Sequence, residues 1–399
     1  MKVLWTNTNF LHPTTKGGQI RTLEILRQLS RRHEIHYVAI EDPAHPEAAE
    51  QSREYCARAY PFRYRIPRRR SLAFARQLIG NLFSDMPLAV SRFYSPALGE
   101  FLRELIRRER FDRAVVDHLA PASYFPDLGR SLFFQHNVET MIWRRHAEHA
   151  ADPVRRRFFR IQAERMFEFE RRACRAAGRI VAVSAVDADI MRKLFGVERI
   201  TEIPTGVNVE YFAPPDAAPP VADLVFVGSM DWLPNIDGML WFVREVLPVI
   251  RQRRPACSLA IAGRMPPPKI QALATQLPGV RVTGTVPDVR PYLWGSAVSI
   301  VPLRIGGGTR LKIYEAMAAG VPVVSTTVGA EGLDVHPPAD IRIADTAADF
   351  AGQCLALLDD AAARAAMARA AREMVEANFS WEHVAACFSQ TLEAAPALS

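Results

Sequence analysis

Short apolar strands alternate with helices along almost the whole chain, and this alternation limits the possible folds more than any single motif does. Five strands are predicted in the first half, at Lys2–Thr6, Ile35–Ala39, Arg113–Asp117, Ser131–Gln135 and Ile180–Val183. Six are predicted in the second half, at Leu224–Val227, Ser258–Ala262, Val280–Thr283, Ala297–Val301, Val321–Ser325 and Ile341–Ile343. Strands of this kind, separated by helices, form parallel sheets that are covered on both faces. The pattern therefore predicts an α/β protein.

Helices are predicted between these strands, and a proline-rich linker divides the series near its midpoint. The helices are expected at Ile20–Arg31, Leu72–Leu82, Ala97–Glu109, Pro153–Ala176, Ile236–Arg253, Pro267–Gln276, Asp288–Trp294, Leu311–Ala319, Thr346–Leu358, Ala361–Glu376 and Trp381–Leu392. Four prolines lie between Asn208 and Asp223, and a chain of 399 residues usually forms more than one core. We predict two doubly wound, Rossmann-like domains that face a central cleft, at 1–208 and 209–378. A last helix within 379–399 is expected to pack back on the first domain.

Composition excludes several classes of protein. Five cysteines are scattered without close pairs, which argues against a disulfide framework or a zinc site. The apolar runs are too short for a membrane-spanning helix, and the first ten residues read as a strand and not as a signal peptide. We therefore expect a cytoplasmic protein, at most peripheral at the inner face of the cytoplasmic membrane.

The formal net charge of +7 comes mainly from arginine in the first half of the chain. The clusters are Arg63, Arg65, Arg68, Arg69, Arg70 and Arg76, then Arg103, Arg107, Arg108 and Arg110, then Arg155, Arg156, Arg157 and Arg160. Such clusters suit an anionic membrane surface, although a general compositional bias toward arginine explains them equally well. No recognised nucleic-acid-binding module accompanies them, so nucleic acid is not expected as a partner.

One segment, SIVPLRIGGGTRLKIYEAMAAGVPVVSTT at 299–327, predicts a phosphate site. A strand ends in a loop that opens a helix, and the loop and first turn carry Arg304, Gly306, Gly307, Gly308, Thr309, Arg310, Leu311 and Lys312. Glycines expose backbone N–H groups, and a helix N-terminus favours an anion. A plain turn with solvated cations is the alternative. However, cations at a helix N-terminus oppose its dipole unless an anion lies between them.

Other small-residue turns follow strands of the same predicted sheet. They contain Gly228 with Ser229, Gly263 with Arg264, and Val286 within the turn Gly284–Asp288. Because the carboxyl ends of parallel strands meet at one edge, these turns are expected to line one ligand site.

In the first half, Gly17 and Gly18 precede a helix, and His136 follows a strand. His118 follows Asp117 at the end of another strand, and either histidine could instead be structural. His136 is favoured because it lies at the carboxyl end of a strand and is followed by Asn137 and a predicted helix start. Asp187 and Asp189 resemble a metal-binding pair, but Ser184 three residues before Asp187 fits a capping box. No metal is therefore expected.

Two similar α/β domains with PLRIGGGTRLKIYEAMAAGVPVVST in the second resemble the retaining GT-B-fold glycosyltransferases, the glycosyl transferases group 1 family. IPTGVNVEYF at 203–212 is similar to the signature of that family near its hinge. VFVGSMDWLPNIDGMLWF at 225–242 is similar to a subgroup associated with exopolysaccharide gene clusters.

The resemblance implies a role for each matching residue. Glu315 would accept hydrogen bonds from the donor ribose, and the backbone amides of Gly306–Thr309 would bind the diphosphate. His136 would lie near the transferred sugar, and Gly17 and Gly18 would face donor phosphate and acceptor. The turn at 284–288 would flank the nucleobase.

Two departures from the family pattern concern the donor site. Gly307 stands where the family often has a first glutamate. Ser229 and Asn235 stand in the region where the family commonly has an arginine and a lysine. Arg304, Arg310 and Lys312 are expected to supply the missing charge.

The predicted function is the transfer of a sugar, of the hexosyl type, from a nucleotide-diphosphate sugar to an acceptor hydroxyl. The resemblance implies retention of configuration, and no cofactor beyond the donor substrate is expected. A saccharide or lipid-linked acceptor in polysaccharide or glycoconjugate synthesis is expected. A nucleotide-sugar epimerase and a non-catalytic two-lobed binding protein are the alternatives. A dehydrogenase is disfavoured because the first turn lacks the spaced three-glycine fingerprint.

Overall fold

The computed structural model describes residues 1–14, 17–67, 71–150, 152–305 and 310–398, without the side chains at 82 and 149. The chain divides into two compact units. The first comprises residues 1–204 together with the residues from 384 onward, and the second comprises residues 205–383.

The first unit is built on a parallel sheet of seven strands. They are β1 (Lys2–Asn9), β2 (Glu34–Ile40), β3 (Arg58–Phe62), β4 (Arg113–Asp117), β5 (Leu132–Gln135), β6 (Arg179–Ala182) and β7 (Ile200–Glu202). Their order across the sheet is β3-β2-β1-β4-β5-β6-β7. The order reverses direction between the neighbours β1 and β4, and ligands of doubly wound sheets bind beside such a reversal.

Helices cover both faces of this sheet. They are α1 (Gly17–Leu29), α2 (Ala48–Gln51), α3 (Leu72–Leu82), α4 (Leu88–Ser91), α5 (Pro96–Glu109), α6 (Glu139–His149), α7 (Pro153–Ala176) and α8 (Ala185–Phe195). Short 3-10 turns occupy Ser52–Glu54, Ala120–Ser123 and Leu128–Arg130. The strands contribute fully buried side chains such as Leu4, Val116 and Phe133 to the core, which is why they read as continuous apolar runs.

The second unit repeats this plan with six strands. They are β8 (Ala222–Val227), β9 (Leu259–Ala262), β10 (Val280–Val282), β11 (Ser296–Val301), β12 (Val323–Ser325) and β13 (Arg342–Ile343). Their order is β10-β9-β8-β11-β12-β13, and the recorded pairs are parallel. Here the order reverses between β8 and β11.

The helices of the second unit are α9 (Leu233–Trp241), α10 (Leu247–Arg253), α11 (Pro268–Gln271), α12 (Leu273–Gln276), α13 (Arg290–Trp294), α14 (Leu311–Ala318), α15 (Thr327–Ala330), α16 (Ala347–Asp359) and α17 (Ala361–Asn378). A π-helical turn at Phe242–Val246 joins α9 to α10. The last helix is α18 (Trp381–Glu393), whose Phe388 stacks on Trp5 within the first unit at 5.4 Å between ring centroids.

The eleven predicted strands are confirmed, with ends that shift by up to three residues. Two strands were missed, β3 and β7, and both lie at the edges of the first sheet. β3 contains Pro61, which an edge strand tolerates because one side makes no ladder hydrogen bonds. β7 has three residues, which is too short for an apolar strand pattern to be recognised in the sequence. The predicted helix α3 begins and ends where expected.

Two helix starts depend on side-chain caps. The predicted capping box at α8 is confirmed, because the Ser184 hydroxyl accepts a hydrogen bond from the Asp187 amide at 3.1 Å.

The start of α6 is capped by a side chain of another helix. The buried Glu170 carboxylate of α7 accepts hydrogen bonds from the Glu139 and Thr140 amides at 2.9 and 2.8 Å, and from the Thr140 hydroxyl at 2.6 Å. These bonds satisfy donors that the first turn of a helix leaves open.

Within the described residues, none of the helices has both the length and the apolar character that crossing a bilayer requires.

Replacing Glu170 with Ala should lower the free energy of unfolding by about 2–3 kcal/mol, because two amides and a hydroxyl lose their shared acceptor inside the protein. Thermal and chemical denaturation followed by circular dichroism measure the change. Glu168→Ala on the same helix is the matched control. Glu168 is half-exposed and paired with Arg171, so its loss should cost no more than about 0.5 kcal/mol. Equal losses in the two variants would contradict the capping role.

Candidate active site

In the first unit, polar side chains collect at the carboxyl ends of β1, β4 and β5, beside the reversal of strand order. Asp117 is the last residue of β4 and is fully buried. Its Oδ2 accepts hydrogen bonds from Trp5 Nε1 at 3.0 Å, Asn7 Nδ2 at 2.8 Å and Thr22 Oγ1 at 2.8 Å. Its Oδ1 lies 2.7 Å from His136 Nε2. A buried carboxylate with four donors around it is stable as the charged form.

His136 is held as a neutral ring between Asp117 and Arg21. Burial lowers its pKa first, and the neighbouring charges of His118 and Arg21 lower it further, to about 3 against the opposing effect of Asp117. Because Nε2 donates to Asp117, Nδ1 is left to accept from Arg21 Nη1 at 3.3 Å. Burial raises the pKa of Asp117, but the two histidines and the donated hydrogen bonds outweigh it and bring the pKa to about 2.

The ring that reaches solvent belongs to His118. Its side chain is 34% exposed, whereas that of His136 is 3% exposed. The two rings stack with centroids 3.9 Å apart. The His118 ring therefore packs against a His136 ring that is held by its hydrogen bond to Asp117. The sequence favours His136 of this pair, and that remains a prediction. The exposure of the two rings does not follow from the pattern, because both histidines follow strands.

Gly18 in the first turn of α1 approaches both rings. A β-carbon at this position would lie 3.2 Å from His118 Cε1 and 3.5 Å from His136 Nδ1. Gly17 is exposed at the start of the same helix. Arg21, one turn later, was not predicted from sequence. It is buried, and burial lowers its pKa to about 10 despite the charges of Asp187 and Asp117.

Asp117, His118 and His136 also have the composition of a metal site, since one ligand atom from each lies within 4.8 Å of the others. The 2.7 Å separation of Asp117 Oδ1 and His136 Nε2 is a hydrogen-bond distance with a proton between the atoms. The second carboxylate oxygen is already surrounded by three donors. The cluster is therefore built as a hydrogen-bonded network that positions His118.

In the second unit, two glycines let the ends of β8 and β9 come together. A β-carbon at Gly263 would lie 1.8 Å from the Gly228 carbonyl oxygen, so no other residue fits there without moving the backbone. A β-carbon at Gly228 would lie 2.6 Å from Lys312 Nζ and 2.9 Å from Asn235 Nδ2. Gly228 therefore leaves the space into which the Lys312 side chain extends, and Gly263 lets the two strand ends lie close together.

Lys312 of α14 reaches the carboxyl end of β8. Its Nζ donates to Asn235 Oδ1 at 2.7 Å and lies 4.4 Å from the centroid of the Phe226 ring. Asn235 is buried and donates in turn to the Ser229 carbonyl at 2.7 Å. Burial, and then the charge of Arg310, lower the pKa of Lys312 to about 7, against the attraction of Glu315.

Glu315 lies one turn after Lys312 on the same helix and is half-buried. Its carboxylate accepts no hydrogen bond from the residues that the structure describes. Burial raises its pKa to about 6, although Lys312 opposes the shift. A carboxylate in this state is costly unless a donor approaches it.

The predicted cations are not equivalent. Arg304 is exposed, and Asp237 accepts from its Nε and Nη2 at 3.1 and 2.8 Å, so its guanidinium is already paired. Arg264 donates to the Ser229 hydroxyl at 2.7 Å and lies 3.4 Å from Asp231. Arg310 is buried, and its guanidinium carbon lies 5.6 Å from the Trp232 ring.

The remaining predicted residues lie on the same edge of the second sheet or outside the described residues. Leu311 is the first residue of α14, and Val286 is half-buried in the turn that follows β10. Gly284, with φ of +70°, begins that turn. Gly306, Gly307, Gly308 and Thr309 lie outside the described residues.

The folded protein should lose stability as the pH falls from about 6.5 toward 3. In this range the unfolded chain protonates His136 while the folded chain does not, which costs about 2 kcal/mol by pH 5. His136→Gln, which keeps a donor for Asp117, should flatten the pH dependence of the unfolding free energy by that amount. The exposed His45 provides the control variant, His45→Gln, which should leave it unchanged. Parallel pH dependences of wild type and His136→Gln would contradict the assignment.

Two family models match the chain. The model described as Glycosyl transferases group 1 matches residues 222–360, and the model described as Glycosyltransferase Family 4 matches residues 15–211.

Curated relatives match over part of their length. A GDP-mannose-dependent monoacylated alpha-(1-6)-phosphatidylinositol monomannoside mannosyltransferase of Corynebacterium glutamicum is 29% identical over 49% of this chain and 56% of its own. A D-inositol 3-phosphate glycosyltransferase of Pseudarthrobacter chlorophenolicus is 27% identical over 57% of this chain and 58% of its own. An uncharacterized 44.6 kDa protein in the cps region of Klebsiella pneumoniae is 25% identical over 32% of this chain and 35% of its own. The chain thus spans between a third and three fifths of the length of these relatives.

Solved structures match over nearly the full length at low identity. Sucrose-phosphate synthase from Thermosynechococcus elongatus has a TM-score of 0.72 at 18% identity, covering 99% of this chain and 98% of that one. Anabaena Alr3699/HepE in complex with UDP-glucose has a TM-score of 0.64 at 13% identity, covering 99% and 100%. WaaG, a glycosyltransferase involved in lipopolysaccharide biosynthesis, has a TM-score of 0.61 at 14% identity, covering 98% of each chain. These likenesses establish the fold, two Rossmann-like domains of the GT-B type.

Since the two family models between them match most of both units, and the fold agrees, the chain belongs to the group 1, family 4 glycosyltransferases of the GT-B fold.

Proposed function

We propose that the protein transfers a sugar from a nucleotide-diphosphate sugar to an acceptor hydroxyl, with retention of configuration at the transferred carbon. One observation carries the proposal. The Lys312 ammonium and the Glu315 carboxylate lie one turn apart on α14 at the carboxyl edge of the second sheet, and this carboxylate accepts no hydrogen bond from the residues that the structure describes. A nucleoside diphosphate carries the complementary groups, an anionic pyrophosphate beside a ribose that has two hydroxyl donors.

Lys312 is proposed to supply the positive charge that the sequence lacks after β8. Asn235 and Ser229 occupy that region in this chain, and neither is charged. The Lys312 ammonium lies 2.7 Å from the Asn235 side chain, so a cation reaches this place from α14. Arg310 precedes Lys312 by two residues and lowers its pKa through its own charge, which an anion between them would relieve.

Glu315 is proposed to accept hydrogen bonds from the ribose hydroxyls. Its pKa of about 6 leaves it mainly ionised at neutral pH, and an ionised carboxylate is the stronger acceptor. Fixing the nucleoside in this way also fixes the reacting carbon of the sugar.

The chemical step requires stabilisation of the charge that develops on the leaving diphosphate. Preorganised cations do this best where charge appears in the transition state, and Lys312 and Arg310 are the candidates in the second unit. In the first unit, His118 is proposed to contact the sugar or the acceptor, and Asp117, His136 and Arg21 to fix its position. We assign no protein nucleophile and no metal.

A hexosyl donor and a polysaccharide or lipid-linked acceptor are the finer parts of the proposal. Support for the donor comes from the relatives, whose descriptions include GDP-mannose dependence, and from HepE, which was crystallised with UDP-glucose. Support for the pathway comes from the cps-region relative and from WaaG, whose description places it in lipopolysaccharide biosynthesis. The arginine excess of the first half supports work at an anionic membrane surface.

The direct test of the reaction combines a thermal-shift screen of nucleotide sugars with an assay for released nucleoside diphosphate. A donor that binds should raise the melting temperature by mass action. That donor should then release nucleoside diphosphate faster when saccharide or lipid-linked acceptors are added. Conversion of the sugar without release would indicate an epimerase, and binding without either reaction would indicate a non-catalytic protein.

Replacing Lys312 with Met should weaken binding of the nucleoside diphosphate by about 10–100-fold, while binding of the bare nucleoside changes little, because the lost contact is to phosphate. Glu315→Ala should weaken both ligands by a similar factor, because the ribose is common to them. Isothermal titration calorimetry measures all four affinities. Lys269→Met, at an exposed lysine of α11, is the control and should leave them unchanged. Equal loss of nucleoside and nucleoside diphosphate in Lys312→Met would contradict the phosphate contact.

Affinity for the nucleotide sugar should fall as the pH rises above about 7. An anionic diphosphate binds the charged lysine, and above pH 7 the empty site must take up a proton at Lys312 before that contact forms. The limit is about tenfold per pH unit. Calorimetry in buffers of different ionisation enthalpy should record proton uptake near pH 8, and Lys312→Met should abolish it. Uptake that persists in this variant would assign the proton to another group.

A further inference from the structure

Helix α3 of the first unit is attached to the protein by its polar side. Asn81 is 4% exposed, and its Nδ2 donates to the Met86 carbonyl at 2.7 Å. Its Oδ1 accepts from Gln162 Nε2 at 3.0 Å and from Arg165 Nη1 at 3.2 Å. Gln77, one turn earlier, donates to the Ser91 carbonyl at 3.2 Å. The start of the helix is also fixed, because the Ser71 hydroxyl caps it by accepting from the Phe74 amide at 3.1 Å.

The opposite side of α3 presents large apolar side chains to solvent. Leu72 is 82% exposed, Ile79 is 59% exposed, and Phe83 at the C-cap is 89% exposed. At about 100° per residue, their spacing of seven and four residues places the three within about 40° of one another. A surface helix normally turns its apolar stripe toward the core. In α3 the polar residues Gln77 and Asn81 face the protein instead. Their hydrogen bonds fix the helix so that its apolar stripe faces solvent.

The charged residues in the sequence segment that contains this stripe are all basic. Between residues 63 and 84 the sequence contains six arginines and no aspartate or glutamate, and Asp85 is the first acid after it. Arg76 lies one turn after Leu72 and is exposed, as is Arg65 before the helix. An exposed apolar stripe bordered by arginines is the composition of a helix that lies in the headgroup region of an anionic bilayer.

We propose that α3 docks the protein on an anionic lipid surface, with Leu72, Ile79 and Phe83 entering the boundary between headgroups and acyl chains and the neighbouring arginines contacting lipid phosphates. The inference gives the membrane part of the proposed function a specific face. It does not depend on the sugar-transfer reaction.

Charge favours lipid over a second copy of the chain. A symmetric dimer through this face would place the same surface of both copies together and so bring two arginine sets into one interface. Like charges across an interface oppose association. An anionic lipid surface instead places negatively charged phosphates opposite the arginines, which favours binding.

Sedimentation of the full chain with vesicles tests the proposal. Vesicles with about one third phosphatidylglycerol should bind the protein at low salt, and pure phosphatidylcholine vesicles should bind it more weakly. The triple variant Leu72→Gln, Ile79→Gln, Phe83→Gln should lower the partition coefficient on the anionic vesicles at least tenfold. Arg65→Gln with Arg76→Gln should reduce the preference for anionic lipid and leave weak binding to phosphatidylcholine unchanged.

The control is Leu233→Gln, which removes an apolar side chain of similar exposure, 61%, from the second unit. It should bind vesicles as the wild type does. The triple variant should keep its melting temperature and its nucleotide-induced thermal shift, because α3 is anchored by residues that the variant retains. Failure of the sugar-transfer proposal would leave these vesicle results unchanged.

A tryptophan at position 83 gives a measurement that does not depend on the triple variant. Phe83→Trp should shift its fluorescence emission to the blue when anionic vesicles are added, and sucrose-loaded vesicles should carry it to the pellet. Wild-type protein that stays in the supernatant at low salt, or a triple variant that binds as well as wild type, would overturn the proposal. Self-association that the triple variant abolishes, with no vesicle binding, would assign the face to a second copy.

Discussion

The contact between the Lys312 ammonium and the carboxyl end of β8 depends on the missing side chain of Gly228. A β-carbon there would come within 2.6 Å of the lysine nitrogen, so any other residue would move the ammonium from its present position beside Asn235. At Gly263 the missing side chain has a similar effect on the backbone, because it lets the end of β9 lie close to the Gly228 carbonyl. The proposed donor site therefore depends on two glycines. Because they have no side chains, the Lys312 ammonium of α14 can lie at the carboxyl end of β8.

The first unit uses related means at the equivalent edge of its own sheet. Gly18 leaves room above two stacked imidazoles, and a buried carboxylate with four donors supports the ring beneath. In both units the charged or polar group that faces the ligand region is positioned by neighbours that are themselves hydrogen-bonded. Such preorganisation lowers the cost of reorganising the site during reaction.

Much of the fold was predictable because buried parallel strands are continuous apolar runs and because helix starts carry local signals such as Ser184. The edge strands β3 and β7 lacked that signal. The positions of residues such as Lys312 at a strand edge follow from the sequence, whereas the contacts of their side chains do not. The pairing of Arg304 with Asp237 joins residues 67 positions apart, and Asp117 collects donors from β1 and α1. The same limit applies to α3, whose bounds follow from the sequence, whereas its inward face is set by Gln162 and Arg165 on α7.

The central claim is that α14 holds a nucleoside diphosphate between its lysine and its carboxylate. A crystal structure of the protein soaked with the nucleoside diphosphate selected by thermal shift tests it most directly. The account predicts phosphate oxygens within hydrogen-bond distance of Lys312 Nζ and the ribose hydroxyls on the Glu315 carboxylate. A nucleotide bound elsewhere, with Lys312 still on Asn235 and Glu315 without a donor, would contradict it.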